Sequence, residues 1–372
     1  MLETTLPAPT RAASVAAVMR SPEMADAVRR LEGARTTGRR GYGARALLGA
    51  AVAKVVYGLD AWTRTVGLLA EHRELRRAIG LKGPEQVPSA AACYRFLARL
   101  RREPEVLAEL RAGVQRALLE LLPAYGTDAA LDGSAMTAYS NGQRYVRRGG
   151  ALRRISDPDA AWGHQGATGT RASGAVFGYR LHALVCTATE LPVAWATTTA
   201  TDWEPGRVGE LVDQARAHGP AVRSLAMDLG YDVGPVYEAC HARGVRPVVP
   251  LGARSRHRDA HRVPVCEHGR WTFAGADVRR RATKWRCPAG ACRPGSRWLR
   301  ADRFHPLLPR ALARFGLLLR ARTSVERAFG RLKHSGRLLR FLVRRQERVA
   351  QHVELSLTLL LAVALARHRA GR

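Results

Sequence analysis

The chain has 372 residues, of which 46% are apolar and 25% charged, and its formal net charge is +30 at pH 7. The apolar content excludes a disordered polymer, and the length is enough for two domains or for one large domain with an appendage. A charge this positive favours a polyanionic partner, above all nucleic acid, because Lys and Arg displace counterions from phosphates.

The start of the chain is small, polar and mixed in pattern, and residues 1–30 are predicted to form a loose arm without a secretory signal. Residues 31–125 carry apolar side chains at three- and four-residue spacing, which predicts an all-helical domain. Ser89, which follows Pro88, is the predicted N-cap of a basic helix near the end of this domain. A DNA-binding helix-turn-helix and an ordinary helical bundle both fit this pattern.

From about residue 127 the pattern changes to strands that alternate with helices. An apolar run ends at Asp132, and a β-hairpin is predicted around the polar turn at residues 187–190. A helix follows, then a strand that ends at Asp228, and then a further helix and strand. This alternation predicts an α/β domain over residues 126–372 with a sheet that is at least partly parallel.

Residues 253–300 interrupt this alternation with a basic insertion that holds three of the six cysteines. Its spacing is within the range of zinc ligands, so one structural Zn²⁺ ion is predicted, with free reduced thiols as the alternative. The candidate zinc ligands are Cys266, His268, Cys287 and Cys292. Trp271 and Trp285 are predicted to stack on or grip DNA beside the surrounding Arg residues. The remaining cysteines, Cys93, Cys186 and Cys240, lie in apolar runs and are predicted to be core residues.

The chain ends in a helical region, residues 312–368, whose most apolar stretch is residues 355–366. A membrane-spanning helix needs about twenty apolar residues, so this shorter run predicts a buried helix and no membrane partner. The basic residues are also spread along the chain, unlike the clusters that bind anionic membranes. A cytoplasmic, nucleoid-associated protein with reduced cysteines is therefore expected.

Asp132 and Asp228 both lie where an apolar strand run ends. In α/β sheets the carboxyl ends of strands are where sites are built, and carboxylates there can hold divalent cations such as Mg²⁺. Two such ions can activate an attacking oxygen and stabilise a leaving one in phosphoryl transfer. The alternative is that each Asp is a turn residue that bonds its own backbone. Asp128 and Asp232 lie nearby, and spacing alone does not exclude them as ligands.

Glu326 is the only acid between Arg303 and Gln346, a stretch rich in Arg. On a helix, Arg322 lies roughly 40° and Lys333 roughly 20° from Glu326 around the axis, so the three share one face. A metal-binding carboxylate between two cations fits a site for phosphate. A simple surface ion pair between Arg322 and Glu326 fits the same spacing.

The order of Asp132, Asp228 and Glu326 along the chain, with Arg322 and Lys333 around the last, resembles the DDE transposases of bacterial insertion sequences. These enzymes have a ribonuclease-H-like catalytic core. The family's motif at its third acid is a Tyr, an Arg three residues later, a Glu four residues after that, and a Lys seven residues further on. Arg322, Glu326 and Lys333 match this spacing, whereas Leu319 stands at the Tyr position.

The phrases ALDGSAMTA and LAMDLGYD resemble the family's first and second acid motifs, and their acids are Asp132 and Asp228. FGYRLHALV and ELPVAWATTTATD fall where the family has paired core strands, and the resemblance covers the chain from about Gly38. It implies an α/β fold with a ribonuclease-H-like mixed sheet flanked by helices, preceded by an all-α N-terminal domain.

The resemblance also implies a site and an activity. Asp132, Asp228 and Glu326 would bind two Mg²⁺ or Mn²⁺ ions. The implied DNA contacts are Arg322 and Lys333, with the neighbouring Arg327 and Arg331. The expected chemistry is metal-dependent cleavage at the inverted repeats that end a transposon, followed by attack of the freed 3′-OH on double-stranded target DNA. A homodimer is expected because two ends must be paired.

Two other functions stay open. One is a catalytically inactive DNA-binding protein or regulator derived from a transposase, which the Leu at position 319 favours. The other is a ribonuclease-H-like nuclease that cuts without end specificity. DNA carrying the element's ends distinguishes the three by binding alone, end-specific nicks or unspecific cuts.

Overall fold

The computed structural model describes residues 10–33, 41–140, 142, 145–148, 151–154, 157–166, 172–252, 263–334 and 341–371. The start of the predicted arm and residues 253–262 of the predicted insertion lie outside the described residues. The chain forms two compact units. The first comprises Met1–Leu121, Met136–Trp162 and Arg331–Arg372, and the second comprises Leu122–Ala135 and Gly163–Gly330.

Helices form most of the first unit and flank the sheet of the second. In chain order they are α1 Arg11–Arg20, α2 Pro22–Gly33, α3 Ala44–Tyr57, α4 Trp62–Glu71, α5 Arg73–Ala78, α6 Ala90–Arg102, α7 Pro104–Leu121, α8 Val208–Ala217, α9 Gly234–Ala242, α10 Ala313–Ala321, α11 Thr323–His334 and α12 Gln346–Ala370. Three short 3-10 helices lie at Pro84–Gln86, Glu204–Arg207 and Leu229–Tyr231.

The segment that the sequence predicts as a loose arm instead forms α1 and α2. Val15, Met19 and Leu31 are fully or almost fully buried. The apolar faces of these helices pack against α3, α7 and the C-terminal helix α12. Burial of apolar surface against elements far along the chain therefore orders a segment whose own composition is unremarkable.

The C-terminal helix α12 belongs to the first unit, which differs from the division that the sequence predicts at residue 126. Its buried residues include Val349, Val353, Leu357 and Leu361, which recur every four residues and form one stripe toward α1, α3 and α7. The helix is long and apolar enough to cross a membrane, but 61% of its most apolar 18-residue stretch is buried inside the protein. The prediction of a buried helix is confirmed.

The start of α6 is as predicted. Ser89 accepts a hydrogen bond from the backbone N–H of Ala92 through its Oγ at 3.2 Å, which is the geometry of an N-cap. The last turn of α6 carries Arg99, Arg101 and Arg102, where positive charge is favourable at the negative end of the helix dipole.

Six strands form a mixed sheet, in the order β4-β5-β1-β7-β8, with β6 also paired to β5. They are β1 Asp128–Thr137, β4 Ala161–Gln165, β5 Gly174–Cys186, β6 Pro192–Thr199, β7 Ser224–Ala226 and β8 Arg246–Val248. β7 is parallel to both β1 and β8, whereas β5 and β6 are antiparallel. Helices α8, α9 and α10 pack against this sheet. The predicted α/β fold with a partly parallel sheet is confirmed.

Local sequence explains the strands that carry the site. Ala129, Ala130 and Leu131 in β1 and all three residues of β7 are buried, as expected for central parallel strands covered on both faces. The hairpin of β5 and β6 turns at the predicted place, where Glu190 has a φ of 57° and its N–H bonds the Cys186 carbonyl.

Smaller sheets complete the chain. A two-stranded hairpin, β2 Tyr145–Arg148 with β3 Ala151–Arg154, lies in the first unit. The insertion forms the hairpin β9 Val265–Cys266 with β10 Gly269–Arg270, and an antiparallel sheet of β11 Thr272–Asp277, β12 Ala282–Arg286 and β13 Ser296–Arg300.

The two tryptophans predicted to contact DNA are buried in the insertion instead. Trp271 and Trp285 are each 5% exposed and form a small core with Cys287. A module this small has few other apolar side chains, so its large rings are needed to fill its interior. Trp298 on β13 is the exposed ring of this sheet, 45% exposed, with the Lys284 ammonium 5.7 Å from its centre.

Candidate active site

Asp132 lies within β1 rather than at its end. The strand continues to Thr137, and past Leu131 its burial alternates, with Ser134 and Met136 buried. The apolar run therefore ends where only one face of the strand is still buried, and not at the end of the strand. The Oδ1 of Asp132 accepts a hydrogen bond from the Gly133 N–H at 2.8 Å.

Asp228 comes to the same place from the neighbouring strand. In the parallel pair of β1 and β7, Ala130 lies opposite Ala226. Asp132 and Asp228 each lie two residues past this last pair, and they are near enough for the charge of Asp228 to act on Asp132. Asp228 caps the 3-10 helix that follows, with its Oδ1 accepting from the Gly230 N–H at 2.8 Å. Each Asp thus makes the local hydrogen bond of a turn residue, and the two acids also interact electrostatically.

Glu326 on α11 is the third acid, and its charge acts weakly on Asp132. Its side chain is 51% exposed and lies 2.8 Å from the Arg322 guanidinium, in the ion pair that the helical spacing predicts. Arg322 is the residue between α10 and α11, and its carbonyl accepts from the Val325 N–H at 3.1 Å. Glu326 therefore forms its ion pair with Arg322 and acts on Asp132 in the same structure.

The electrostatics of Asp132 show that the four groups share one environment. Burial, and next the negative charge of Asp228, raise the pKa of Asp132 to about 6. Glu326 adds a smaller effect in the same direction, while the Gly133 N–H and the Arg322 guanidinium oppose it. The second unit thus brings together three acids that are distant in sequence.

The ligand atoms of Asp132, Asp228 and Glu326 do not all lie within 4.8 Å of one another. In the part of the chain that the structure describes, the only His, Cys, Asp or Glu residues with three ligand atoms all within 4.8 Å of one another are three cysteines of the insertion. An open set of hard oxygen ligands suits a cation such as Mg²⁺, which keeps waters and takes oxygens from a substrate phosphate.

A second set of residues lies against the acids, and the sequence did not reveal it. Arg180 of β5 forms an ion pair with Glu204, which also accepts from the Tyr231 hydroxyl at 3.3 Å. Tyr231 is buried, and burial followed by the charges of Asp132 and Asp228 raises its pKa. The one sequence signal is Arg180, which together with His182 interrupts the apolar run of β5.

Gly133 is the point of closest approach between this set and Asp132. A Cβ added to Gly133 would lie 2.3 Å from Oε2 of Glu204 and 3.2 Å from Cδ of Arg180. Any larger residue at position 133 would displace the Glu204 carboxylate, so Gly133 keeps Glu204 in its contact with Arg180.

A sequence model of one known family, described as the transposase DDE domain, matches residues 126–362. The chain belongs to the DDE transposase domain family. No curated protein matches it. A solved structure that it resembles is a piggyBac transposase synaptic complex with hairpin DNA, with a TM-score of 0.40 and 10% identity over 96% of this chain and 76% of that one.

The predicted phosphate contacts of this DDE domain lie along α11. Arg327 is exposed, but its guanidinium is paired with Glu190 and donates to the Thr323 hydroxyl at 2.8 Å. Arg331 and Lys333 continue the same helix within the first unit, Arg331 exposed and Lys333 partly buried. Lys333 stays on the helix face of Glu326, as the seven-residue spacing requires.

The insertion of the DDE domain holds a cluster of three thiols. The Sγ atoms of Cys266, Cys287 and Cys292 lie within 4.8 Å of one another, with 3.7 Å between Cys266 and Cys287. Burial favours the neutral thiol of Cys287, but hydrogen bonds led by that from the Cys292 N–H outweigh it and lower its pKa to about 6. Because the thiolate is the form that binds metal, a lowered thiol pKa favours metal binding at this cluster.

His268, the fourth candidate ligand, is not part of this thiol cluster. It lies in the turn between β9 and β10, where its Nε2 is 3.5 Å from the Glu267 carboxylate. Cys266 lies on β9 and His268 in the turn that follows, so their close spacing in sequence does not bring both side chains to the thiol cluster. The other three cysteines, Cys93, Cys186 and Cys240, are buried as predicted.

The raised pKa of Asp132 predicts that this residue destabilises the metal-free fold. A carboxyl whose pKa rises from 3.8 to about 6 on folding stabilises the fold below pH 4 and loses that contribution as pH rises through 6. Asp132→Asn should therefore raise the free energy of unfolding at pH 7 by about 2 kcal/mol without added divalent metal, and change it little at pH 4.

Urea unfolding of both proteins at the two pH values measures this effect. Asp213→Asn is the control, because Asp213 lies on the surface of the same unit, in an ion pair with Arg243. A loss of stability in Asp132→Asn at pH 7 would contradict the electrostatic description of the site.

Proposed function

We propose that this DDE family member is a metal-dependent transposase that cleaves phosphodiester bonds at the ends of its own element and joins the freed 3′-OH ends to target DNA. The observation that supports this most is the electrostatic coupling of three acids: Asp132 and Asp228 follow the parallel pair of β1 and β7, and the charges of Asp228 and Glu326 both act on Asp132. The order β6-β5-β1-β7-β8 within the sheet supports a ribonuclease-H-like core.

The residues present fit Mg²⁺ or Mn²⁺. Burial, and next the repulsion between the two carboxylates, raise the pKa of Asp132, and a divalent cation between Asp132 and Asp228 would relieve that repulsion. Asp132, Asp228 and Glu326 would hold two such ions, which supply activation of the attacking oxygen and stabilisation of the leaving oxygen. The donors are all hard oxygens, as these cations require.

The remaining residues of the site position charge. Arg322 holds Glu326 in place through its 2.8 Å ion pair and presents further N–H donors on the same face. Arg322, Arg327, Arg331 and Lys333 would bind the DNA backbone, since a guanidinium or ammonium matches phosphate oxygens in charge and geometry. Arg180 and Glu204 would keep Tyr231 beside the two Asp residues.

Further parts of the proposal concern binding and assembly. The basic α6, capped by Ser89, would be the DNA-recognition helix of the N-terminal helices. The thiol cluster of Cys266, Cys287 and Cys292 would hold one structural Zn²⁺ ion. A homodimer would pair the two inverted repeats, in the cytoplasm and associated with the nucleoid.

The second candidate function is a DNA-binding regulator without catalysis. Leu319 on α10, at the position of the family's Tyr, favours it because Leu offers neither a ring hydroxyl nor a stacking face. A transposase of reduced rate is the intermediate case.

DNA that carries the inverted repeats flanking the gene tests these functions. With Mg²⁺, the transposase proposal predicts nicks at the repeat ends and joining of the cut ends to a second DNA. Retarded migration without nicks would instead identify the regulator, and cuts spread along the DNA would identify an unspecific nuclease.

A further inference from the structure

The first unit contains a cavity of about 530 Å³ that the proposed chemistry does not use. It lies between α3, α4, α6, the segment before α12 and the first turns of α12. Ala51, Val55, Leu97 and Leu355 form apolar parts of its wall. Cavities that bind small molecules measure about 300–1,000 Å³, so this one has room for a ligand of nucleotide size.

Three aromatic rings line the cavity at different depths. Trp62 is almost fully buried at 4% exposure, whereas Tyr94 and Tyr139 are 47% and 49% exposed. The Arg344 guanidinium lies 5.1 Å from the centre of the Tyr139 ring, and its Nε donates to the Tyr139 carbonyl at 2.8 Å. Half-exposed tyrosines on a cavity wall present flat faces on which a planar ligand can stack.

The cavity is also strongly basic. Its lining includes one Lys and four Arg, and Asp60 is the single acid among the lining residues. The cations are Lys54, Arg95, Arg101, Arg344 and Arg348. Burial lowers the pKa of Lys54 to about 8, an effect that the Asp60 charge only partly offsets. An anion bound here would favour the charged form of Lys54 and use the surplus of positive charge.

We propose that this cavity binds one unpaired nucleotide of the bound DNA, with its base stacked on Tyr94 or Tyr139 and its phosphate held by Arg95 and Arg101. A phosphate ion alone would not contact the aromatic rings, and an apolar ligand would leave the five cations without a partner of opposite charge. This inference rests on the proposed function for the source of the nucleotide. It adds a separate site, in the first unit, to the acids of the second.

The test is binding of DNA that carries a fluorescent base analogue, without added divalent metal. Two duplexes of the same sequence are compared, one blunt and one with a short single-stranded overhang that contains 2-aminopurine. The wild-type chain should prefer the overhang and quench its fluorescence by stacking. Tyr94→Ala should reduce that preference roughly tenfold, within the range that removal of one stacking ring produces.

Tyr42→Ala is the matched control, because Tyr42 is a partly exposed tyrosine of the same unit that does not line this cavity. It should bind both duplexes as the wild type does. Arg101→Gln gives a second variant that should lose the preference without removing a ring.

Equal binding of the two duplexes by the wild type, or an unchanged preference in both Tyr94→Ala and Arg101→Gln, would overturn the proposal. Competition by free deoxynucleoside monophosphate at the affinity of the overhang would overturn the assignment to DNA. Because the readout is binding rather than cleavage, a failure here leaves the proposed catalysis intact, and a failure of cleavage leaves this result intact.

Discussion

Asp228→Asn is expected to reduce Mg²⁺-dependent cleavage at the element's ends by roughly 10³-fold or more, while DNA binding changes little. The substitution keeps the shape of the side chain and the acceptor that caps the 3-10 helix through Gly230. It removes one negative charge from beside Asp132, where a divalent cation would need it. Because DNA affinity comes from basic residues elsewhere, the effect should fall on the rate and not on the gel shift.

The same assay applied to Asp132→Asn and Glu326→Gln should give losses of similar size, and combining two substitutions should add little, since the residues act as one unit. Asp213→Asn, a surface acid of the same unit, should cleave at the wild-type rate. Normal cleavage by Glu326→Gln would remove Glu326 from the site and leave its ion pair with Arg322 as a surface contact.

Loss of zinc is expected to unfold the insertion. Its core consists of Trp271, Trp285 and Cys287 with a few partly buried neighbours, too little apolar surface to hold so small a module by itself. The purified protein should contain one Zn²⁺ ion, and Cys287→Ser should lose it. Tryptophan fluorescence should then shift to the red, and protease should cut within residues 263–300.

His268→Ala is the informative control for this prediction. The structure separates His268 from the three thiols, so this variant should keep its zinc and its fluorescence. A wild-type protein without zinc would contradict the assignment of the cluster. Zinc loss in His268→Ala as complete as in Cys287→Ser would show that the hairpin turn rearranges on metal binding.

The three acids of the candidate site stand out in the sequence because charge interrupts a simple pattern at each of them. An Asp at the end of a buried apolar run, twice over, and one Glu in a long basic stretch are local signals. Arg180 also interrupts an apolar run, but nothing in the sequence links it to Glu204 and Tyr231, because their contacts join three separate segments.

The errors of sequence reasoning have the same physical origin. The N-terminal helices α1 and α2 are held by partners that lie far along the chain, which the composition of the first thirty residues does not reveal. Trp271 and Trp285 read as surface rings because they sit among Arg residues, whereas the insertion needs them as its core. His268 has the spacing of a ligand, but a two-residue turn between strands separates it from the thiols.

The central claim is that Asp132, Asp228 and Glu326 jointly bind the divalent cations of a DNA-cleaving site. Anomalous X-ray scattering from crystals of the protein grown with Mn²⁺ and a DNA end tests it most directly. Mn²⁺ peaks are expected at about 2.0–2.3 Å from carboxylate oxygens of all three residues. Peaks that lie elsewhere, or that leave Glu326 bound only to Arg322, would contradict it.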